Sequence, residues 1–171
     1  NYHTMSEYIS KLQSEILPKI NNIRNISILE LGVQRGTSTK FFLEICNRNN
    51  GYLTSIDVDD CSKVSNDARW KFIKTRDDNF NLIKGQFSNK INVIYLDTLH
   101  EADHVEKVFY EYYEILDNGG FFFIDDISNL PYLKNKIRNN FYCEINNKET
   151  FERLMEIYNN NLNNFDIFFT F

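Results

Sequence analysis

The sequence predicts an α/β fold: a doubly wound, mostly parallel sheet with helices on both faces. Three observations carry that expectation. Short apolar runs recur, and Val93–Leu96 and Phe121–Ile124 hold no polar residue, as strands covered on both faces require. Segments of helical spacing alternate with these runs along the chain. An acidic residue stands at the exit of every candidate strand, so the acids would converge on one rim of the sheet.

The elements follow in order. Thr4–Ile20 reads as one amphipathic helix, with Thr4 and Glu7 spaced as a capping box and Tyr8, Ile9, Leu12 and Ile16 on one face. Ile26, Ile28, Leu29 and Leu31 mark the first strand. Gly32 and Gly36 break the chain, and Thr37, Ser38 and Thr39 introduce a helix over Ser38–Arg48. Tyr52–Asp57 is the second strand, Ser62–Asp67 a short helix and Trp70–Lys74 the third strand. Phe80–Gln86 is another short helix, ahead of the fourth strand at Val93–Leu96. Glu101–Leu116 is a long helix with Val105, Val108, Phe109, Tyr112 and Tyr113 inward, ended by Asn118-Gly119-Gly120 before the fifth strand. The terminal FDIFFTF, Phe165–Phe171, reads as an edge strand with no partner following it. The whole reads as a single domain. Residues 1–24 form a helical cap, 25–128 the core, and 129–171 a helix and an edge strand that could be truncated.

Composition narrows the function. A chain of 171 residues with 42% hydrophobic and 15% aromatic content can bury roughly 70% of its unfolded surface, enough for a core. The net charge of −5 argues against a nucleic-acid grip resting on bulk positive charge. Cys46, Cys61 and Cys143 lie far apart without a CxxC pair, so they read as reduced thiols of a cytoplasmic protein. No apolar run reaches the 18 or so residues of a membrane helix. Heavy use of Asn, Ile, Lys, Phe and Tyr points to an A/T-rich coding genome and not to a chemistry.

In an open parallel sheet, ligands bind beyond the carboxyl ends of the strands. Glu30, Gly32 and Gly36 lie at the first exit, and Asp57, Val58, Asp59 and Asp60 at the second. Asp77 and Asp78 follow the third strand, Asp97 and His100 the fourth, and Asp125 and Asp126 the fifth. Each has a plainer reading: turn glycines, an Asp helix cap, a packed histidine, a solvated acidic turn. The combination favours a ligand. Asp57 lies 25 residues after Gly32, near the spacing at which a carboxylate meets ribose hydroxyls. The first turn is GxxxG and not GxGxxG, a poorer fit to a dinucleotide pyrophosphate.

The stretches ILELGVQRGTST, LTSIDVDD, WKFIKTRDD and IYLDTLHEADHV…LDNGGFFFIDDI appear in that order over about residues 26–128. Together they resemble the class I S-adenosylmethionine-dependent methyltransferases, whose fold is Rossmann-like. Within that class they are similar to small-molecule O-methyltransferases and cephalosporin-hydroxylase-like proteins. The resemblance implies S-adenosyl-L-methionine as cofactor. It assigns Glu30, Gly32, Val33, Gln34, Gly36, Thr37 and Ser38 to the methionine end and Asp57 to the ribose. Val58 would lie against the adenine, and Asp77 or Asp78 would reach its amino group.

Metal-dependent relatives such as catechol O-methyltransferase and macrocin O-methyltransferase place acids after strands four and five. The matching positions, Asp97, Asp125 and Asp126, imply a Mg²⁺ site that binds the acceptor oxygens. Asp126 stands where catechol O-methyltransferase has an asparagine. An acidic rim that positions substrate without metal is the alternative. His100, three residues after Asp97, is preferred as general base over His104, one turn deeper in the helix. The expected acceptor is a hydroxyl of a small molecule or sugar. Two rivals stay open: a non-catalytic S-adenosylmethionine-binding module and a nicotinamide-dependent Rossmann oxidoreductase.

Overall fold

A computed structural model describes residues 5–127 and 145–169. Five parallel strands, β1 (Ser27–Leu31), β2 (Tyr52–Asp57), β3 (Trp70–Lys74), β4 (Ile91–Leu96) and β5 (Leu116–Ile124), form one sheet in the order β3-β2-β1-β4-β5. The chain winds outward from β1 to β3 and returns to lay β4 on the other side of β1. The switch point therefore falls between β1 and β4.

Side chains along the central strands alternate between two cores, and both cores are apolar. Ile28, Val93 and Tyr95 point to one face, where Leu12, Ile20, Phe42 and Ile45 cover them. Leu29, Leu31, Ile94 and Leu96 point to the other, under Ile83, Val105, Val108 and Tyr112. Burying each aliphatic side chain contributes about 1.5–3 kcal/mol. This two-faced burial is why Val93–Leu96 carries no polar-apolar alternation. The covering helices are α3 (Thr37–Asn49), α4 (Phe80–Lys84), α5 (Ala102–Tyr113) and α6 (Ile145–Asn159).

The sequence expectations fail locally in four places. The single helix expected over Thr4–Ile20 is split into α1 (Met5–Lys11), a π-helical turn (Leu12–Ile16) and α2 (Leu17–Ile20). Pro18 lacks an N–H and its ring crowds the carbonyl one turn back, so the preceding turn widens. Ser62–Asp67 forms turns and not a helix. Asp60, Ser65 and Asp67 side chains accept the N–H groups of Ser62, Asp67 and Arg69, competing with helical bonding. The long helix ends at Tyr113, and Asn118-Gly119-Gly120 lies inside β5. There a register shift between the pairs Ile91–Leu116 and Val93–Phe121 accommodates the extra residues. Finally, Phe165–Phe169 makes no strand among the described residues. Its rings pack instead on β5 and on the helix Ala102–Tyr113, Phe168 lying 6.0 Å from Phe123 of the strand and Phe165 5.8 Å from Phe109 of the helix. The Thr4 cap, Cys143, residues 129–144 of the expected C-terminal region and Thr170–Phe171 lie outside the described residues. No helix among those described is long and apolar enough to cross a membrane.

Candidate active site

The exits of β1 and β4 touch at the switch point. Asp97 N–H donates to the Leu31 carbonyl, and a Cβ on Gly32 would stand 2.0 Å from the Asp97 carbonyl oxygen. With φ at +100°, Gly32 has a conformation and a clearance that no other residue offers. The next turn, Val33–Gly36, is closed by the Gly36 N–H on the Val33 carbonyl, and Gln34 takes a left-handed φ of 48°.

Asp57, at the end of β2, binds this turn directly. Its Oδ2 accepts the N–H groups of Val33 (2.8 Å) and Gln34 (3.1 Å), and its Oδ1 accepts that of Asp59 (2.9 Å). Burial pushes its pKa up, but the N–H donors of Asp59, Val33, Gln34 and Val58 outweigh that and hold it below the usual carboxylate range. An ionised Asp57 beside Val58, an aliphatic side chain 58% exposed, fits a ribose with its adenine.

Glu30 lies underneath and does not reach the cleft. It is fully buried, and its oxygens accept the hydroxyls of Ser38 (2.6 Å), Thr39 (2.8 Å) and Ser55 (2.6 Å). Burial raises its pKa to about 7, against the pull of those three donors. The expected contact with the methionine end is thus corrected to a floor that fixes the start of α3. Asp77 is corrected similarly. Its Oδ2 accepts the Thr98 hydroxyl (2.5 Å) and meets His104 Nε2 at 2.8 Å, so this nearly buried carboxylate is turned into the protein. Asp78 remains nearer solvent, paired bidentately with Arg76. His104 Nε2 is engaged by Asp77, and His104 does not line the cleft at the strand exits.

Across the switch point, one donor atom from each of Asp97, His100 and Asp126 lies within 4.8 Å of the others. His100 Nε2 is buried without a hydrogen-bond partner, and Asp97 Oδ1 is 3.5 Å away, long for a hydrogen bond. Burial lowers the His100 pKa, but Asp97, Asp126 and Asp125 together raise it above the ordinary value. The Thr150 hydroxyl donates to the His100 carbonyl, anchoring this turn to α6. The two carboxylates fit a divalent cation that keeps several waters, and the buried imidazole nitrogen beside them has a lone pair available for a proton. The expected trio is corrected in one member. Asp125 faces inward, its Oδ2 accepting the Tyr95 phenol at 2.8 Å and its Oδ1 the Asp126 N–H at 2.9 Å. Asp125 is therefore outside the cluster of Asp97, His100 and Asp126.

Among the described residues, these exits line a cleft of about 1050 Å³. Gly32, Val33, Gln34, Thr37, Ser38, Asp97, Asp125 and Asp126 line it, while Gly36, Asp57, Val58, Asp78 and His100 are not among its lining residues. Gly36 instead packs on Val64. Sequence reasoning missed Tyr8 and Tyr95, which also line the cleft. For Tyr95 the available signal was a phenol in the otherwise aliphatic run VIYL, since a buried Tyr hydroxyl needs a partner.

Residues 29–127 match the family model described as a methyltransferase domain. The chain belongs to that methyltransferase family. It is similar in fold to the MycE methyltransferase of the mycinamycin biosynthetic pathway, solved with Mg and SAH (TM-score 0.59, 19% identity, 68% of this chain and 34% of that one). It is similar also to the SAH-bound Podospora anserina methyltransferase PaMTH1 (TM-score 0.53, 17% identity, 72% and 57%). A third likeness is to the spermidine synthase of Thermotoga maritima (TM-score 0.51, 16% identity, 71% and 44%). The chain thus spans about a third of the MycE chain it matches. At these identities the likenesses show the fold, which serves more than one reaction. No curated protein sequence matches the chain.

Proposed function

We propose that this methyltransferase is a cytoplasmic S-adenosylmethionine-dependent O-methyltransferase. Its acceptor is a hydroxyl of a small molecule or sugar, assisted by a divalent ion such as Mg²⁺; nucleic acid is not a partner. The observation that carries the reading is the meeting of Asp97, His100 and Asp126 at the switch point, beside a turn that Asp57 holds open. The oxidoreductase alternative is not favoured, since residues 29–127 match a methyltransferase domain.

In this reading the Gly32–Gly36 backbone with Thr37 and Ser38 receives the methionine end of the cofactor. Asp57 would meet the ribose hydroxyls through Oδ1, which accepts the Asp59 N–H while Oδ2 accepts two from the turn. Val58 covers one face of the adenine, and Asp78 is the acid nearest its amino group. The cofactor supplies an electrophilic methyl group on a cationic sulfur. The cation, when bound, lowers the pKa of an acceptor hydroxyl. Asp97 and Asp126 would hold the cation, which would orient an acceptor hydroxyl, and alignment of acceptor and donor supplies much of the rate in such transfers. His100 Nε2 receives the hydroxyl proton, and three neighbouring acids favour the imidazolium so formed.

A methyl-donor screen against sugars and phenols, with and without chelator, tests this reading. Transfer that stops with chelator and returns with Mg²⁺ is expected. Full turnover in excess chelator would remove the metal from it. Binding of S-adenosylhomocysteine without transfer to any acceptor would leave a non-catalytic binding module.

A further inference from the structure

Asp125 and Asp126 leave β5 side by side, yet the structure gives them different surroundings. Both oxygens of Asp125 are engaged, Oδ1 by the Asp126 N–H and Oδ2 by the Tyr95 phenol. Tyr95 is 1% exposed, and its ring packs edge-on against Phe42 at 5.3 Å, so its hydroxyl direction is fixed by the core. The single Tyr95 proton goes to Asp125. The 3.0 Å contact between Tyr8 and Tyr95 must therefore carry the proton of Tyr8. A continuous chain of donors thus runs from α1 to the exit of β5. At its end, the Asp126 backbone adopts φ 51°, a left-handed conformation that L residues adopt rarely. That turn brings an Asp126 oxygen within 4.8 Å of the donor atoms of Asp97 and His100.

We propose that Tyr8, Tyr95 and Asp125 form a positioning relay that holds the Asp126 turn, and that Asp125 acts on the cation only through it. This rests on the divalent-cation reading above. The relay acts mechanically. Asp125 is clamped at both oxygens, it clamps the N–H of its neighbour, and the neighbour's carboxylate is thereby aimed at the rim. Groups behind a ligand tune a metal site when they fix the ligand's orientation. Here the outermost group belongs to α1, whose Met5 and Tyr8 also line the cleft, so docking of α1 and assembly of the rim are one event.

Mn²⁺ binding to the full chain, followed by electron paramagnetic resonance, separates the possibilities. Asp126→Ala should lose about 100-fold in affinity, as a ligand would, and Tyr95→Phe about 10-fold, as a group behind a ligand would. Asp125→Ala removes the acceptor at which two donors arrive, so it should match Tyr95→Phe and not Asp126→Ala. Tyr95→Phe with Asp125→Ala should be no weaker than Asp125→Ala alone, because both break one chain. These losses should appear with S-adenosylhomocysteine affinity unchanged, whereas a merely structural role would move both affinities together. If Tyr95→Phe does not fold, the comparison of Asp125→Ala with Asp126→Ala decides. Tyr8→Phe should lose about threefold, and no loss would overturn the Tyr8 link. Equal losses in Asp125→Ala and Asp126→Ala would overturn the relay and make Asp125 a ligand, with the metal reading intact. Absence of Mn²⁺ binding in the unaltered chain would overturn both.

Discussion

Two polar regions share the carboxyl rim of the sheet, and they differ in whether every buried polar atom has a partner. At the β1–β2 side, Glu30 and Asp57 are surrounded by donors: three hydroxyls for the former, three backbone N–H groups for the latter within hydrogen-bond distance. At the β4–β5 side, His100 Nε2 is buried with no hydrogen-bond partner, and Asp97 lies 3.5 Å from it. Buried polar groups are nearly always paired, so an exception calls for a reason. The lesson is that bonded acids hold a loop in shape, while a buried imidazole nitrogen without a hydrogen-bond partner is open to a ligand or a proton.

The largest effect should come from the under-bonded side. His100→Ala is expected to lower turnover by about two to four decades with cofactor affinity unchanged, if its imidazole accepts the acceptor proton. Methyl transfer under saturating cofactor measures it. A loss of less than about threefold would reduce His100 to a packing residue and erase the contrast.

The second effect belongs to Glu30 and is read in stability. Its folded pKa, about 7, lies above the ordinary 4.5 because burial disfavours the charge. Between those values the folded state binds the extra proton, so the associated stability is full below about 4.5 and is lost as pH rises through 7. Relative to Glu30→Gln, the parent chain should lose about 3 kcal/mol over that window. Urea unfolding of both chains from pH 4.5 to 8 tests this. Parallel curves would mean that Glu30 is already ionised at low pH and that its three hydroxyl donors outweigh burial.

Asp57 sharpens the same contrast, because it serves both loop and ligand. Asp57→Ala should weaken S-adenosylhomocysteine binding by about 1.5–3 kcal/mol, the worth of a hydrogen bond to a charged group. Calorimetry should also show a less favourable entropy, since the freed Val33–Gln34 turn must be ordered on binding. Unchanged affinity in a folded variant would take Asp57 out of the site.

How much of this was legible in the sequence follows from what each pattern encodes. The sheet was legible because Val93–Leu96 is apolar on both faces, and only a doubly covered strand tolerates that. The rim was legible because strand ends fix where exit residues gather. Orientation was not. Asp125 and Asp126 are neighbours of one type, and which one faces inward depends on a phenol 30 residues away, Tyr95. Glu30 sits within β1, and only the packing of Ser38, Thr39 and Ser55 around it decides that it faces no ligand. Ser62–Asp67 is rich in Ser, Asn and Asp, and local side-chain acceptors captured N–H groups a helix would need.

The smallest effect isolates the strain stored in the bonded region. Gln34 holds φ 48°, and its N–H is fixed by Asp57 at 3.1 Å. A left-handed conformation costs an L residue about 1–2 kcal/mol, which glycine does not incur. Glycine loses more backbone freedom on folding, about 0.5–1 kcal/mol, so the two terms partly cancel. Gln34→Gly should therefore stabilise the chain by at most about 1 kcal/mol, seen as a rise of roughly 2–4 °C in Tm. The same substitution in the Asp57→Ala background should stabilise less, because without its carboxylate clamp the turn can relax and release the strain by itself. Equal gains in both backgrounds would show that the turn keeps its shape without Asp57. The bonded acid would then be a passenger on a loop set by Gly32 and Gly36, and the contrast between the two sides of the rim would rest on Glu30 alone.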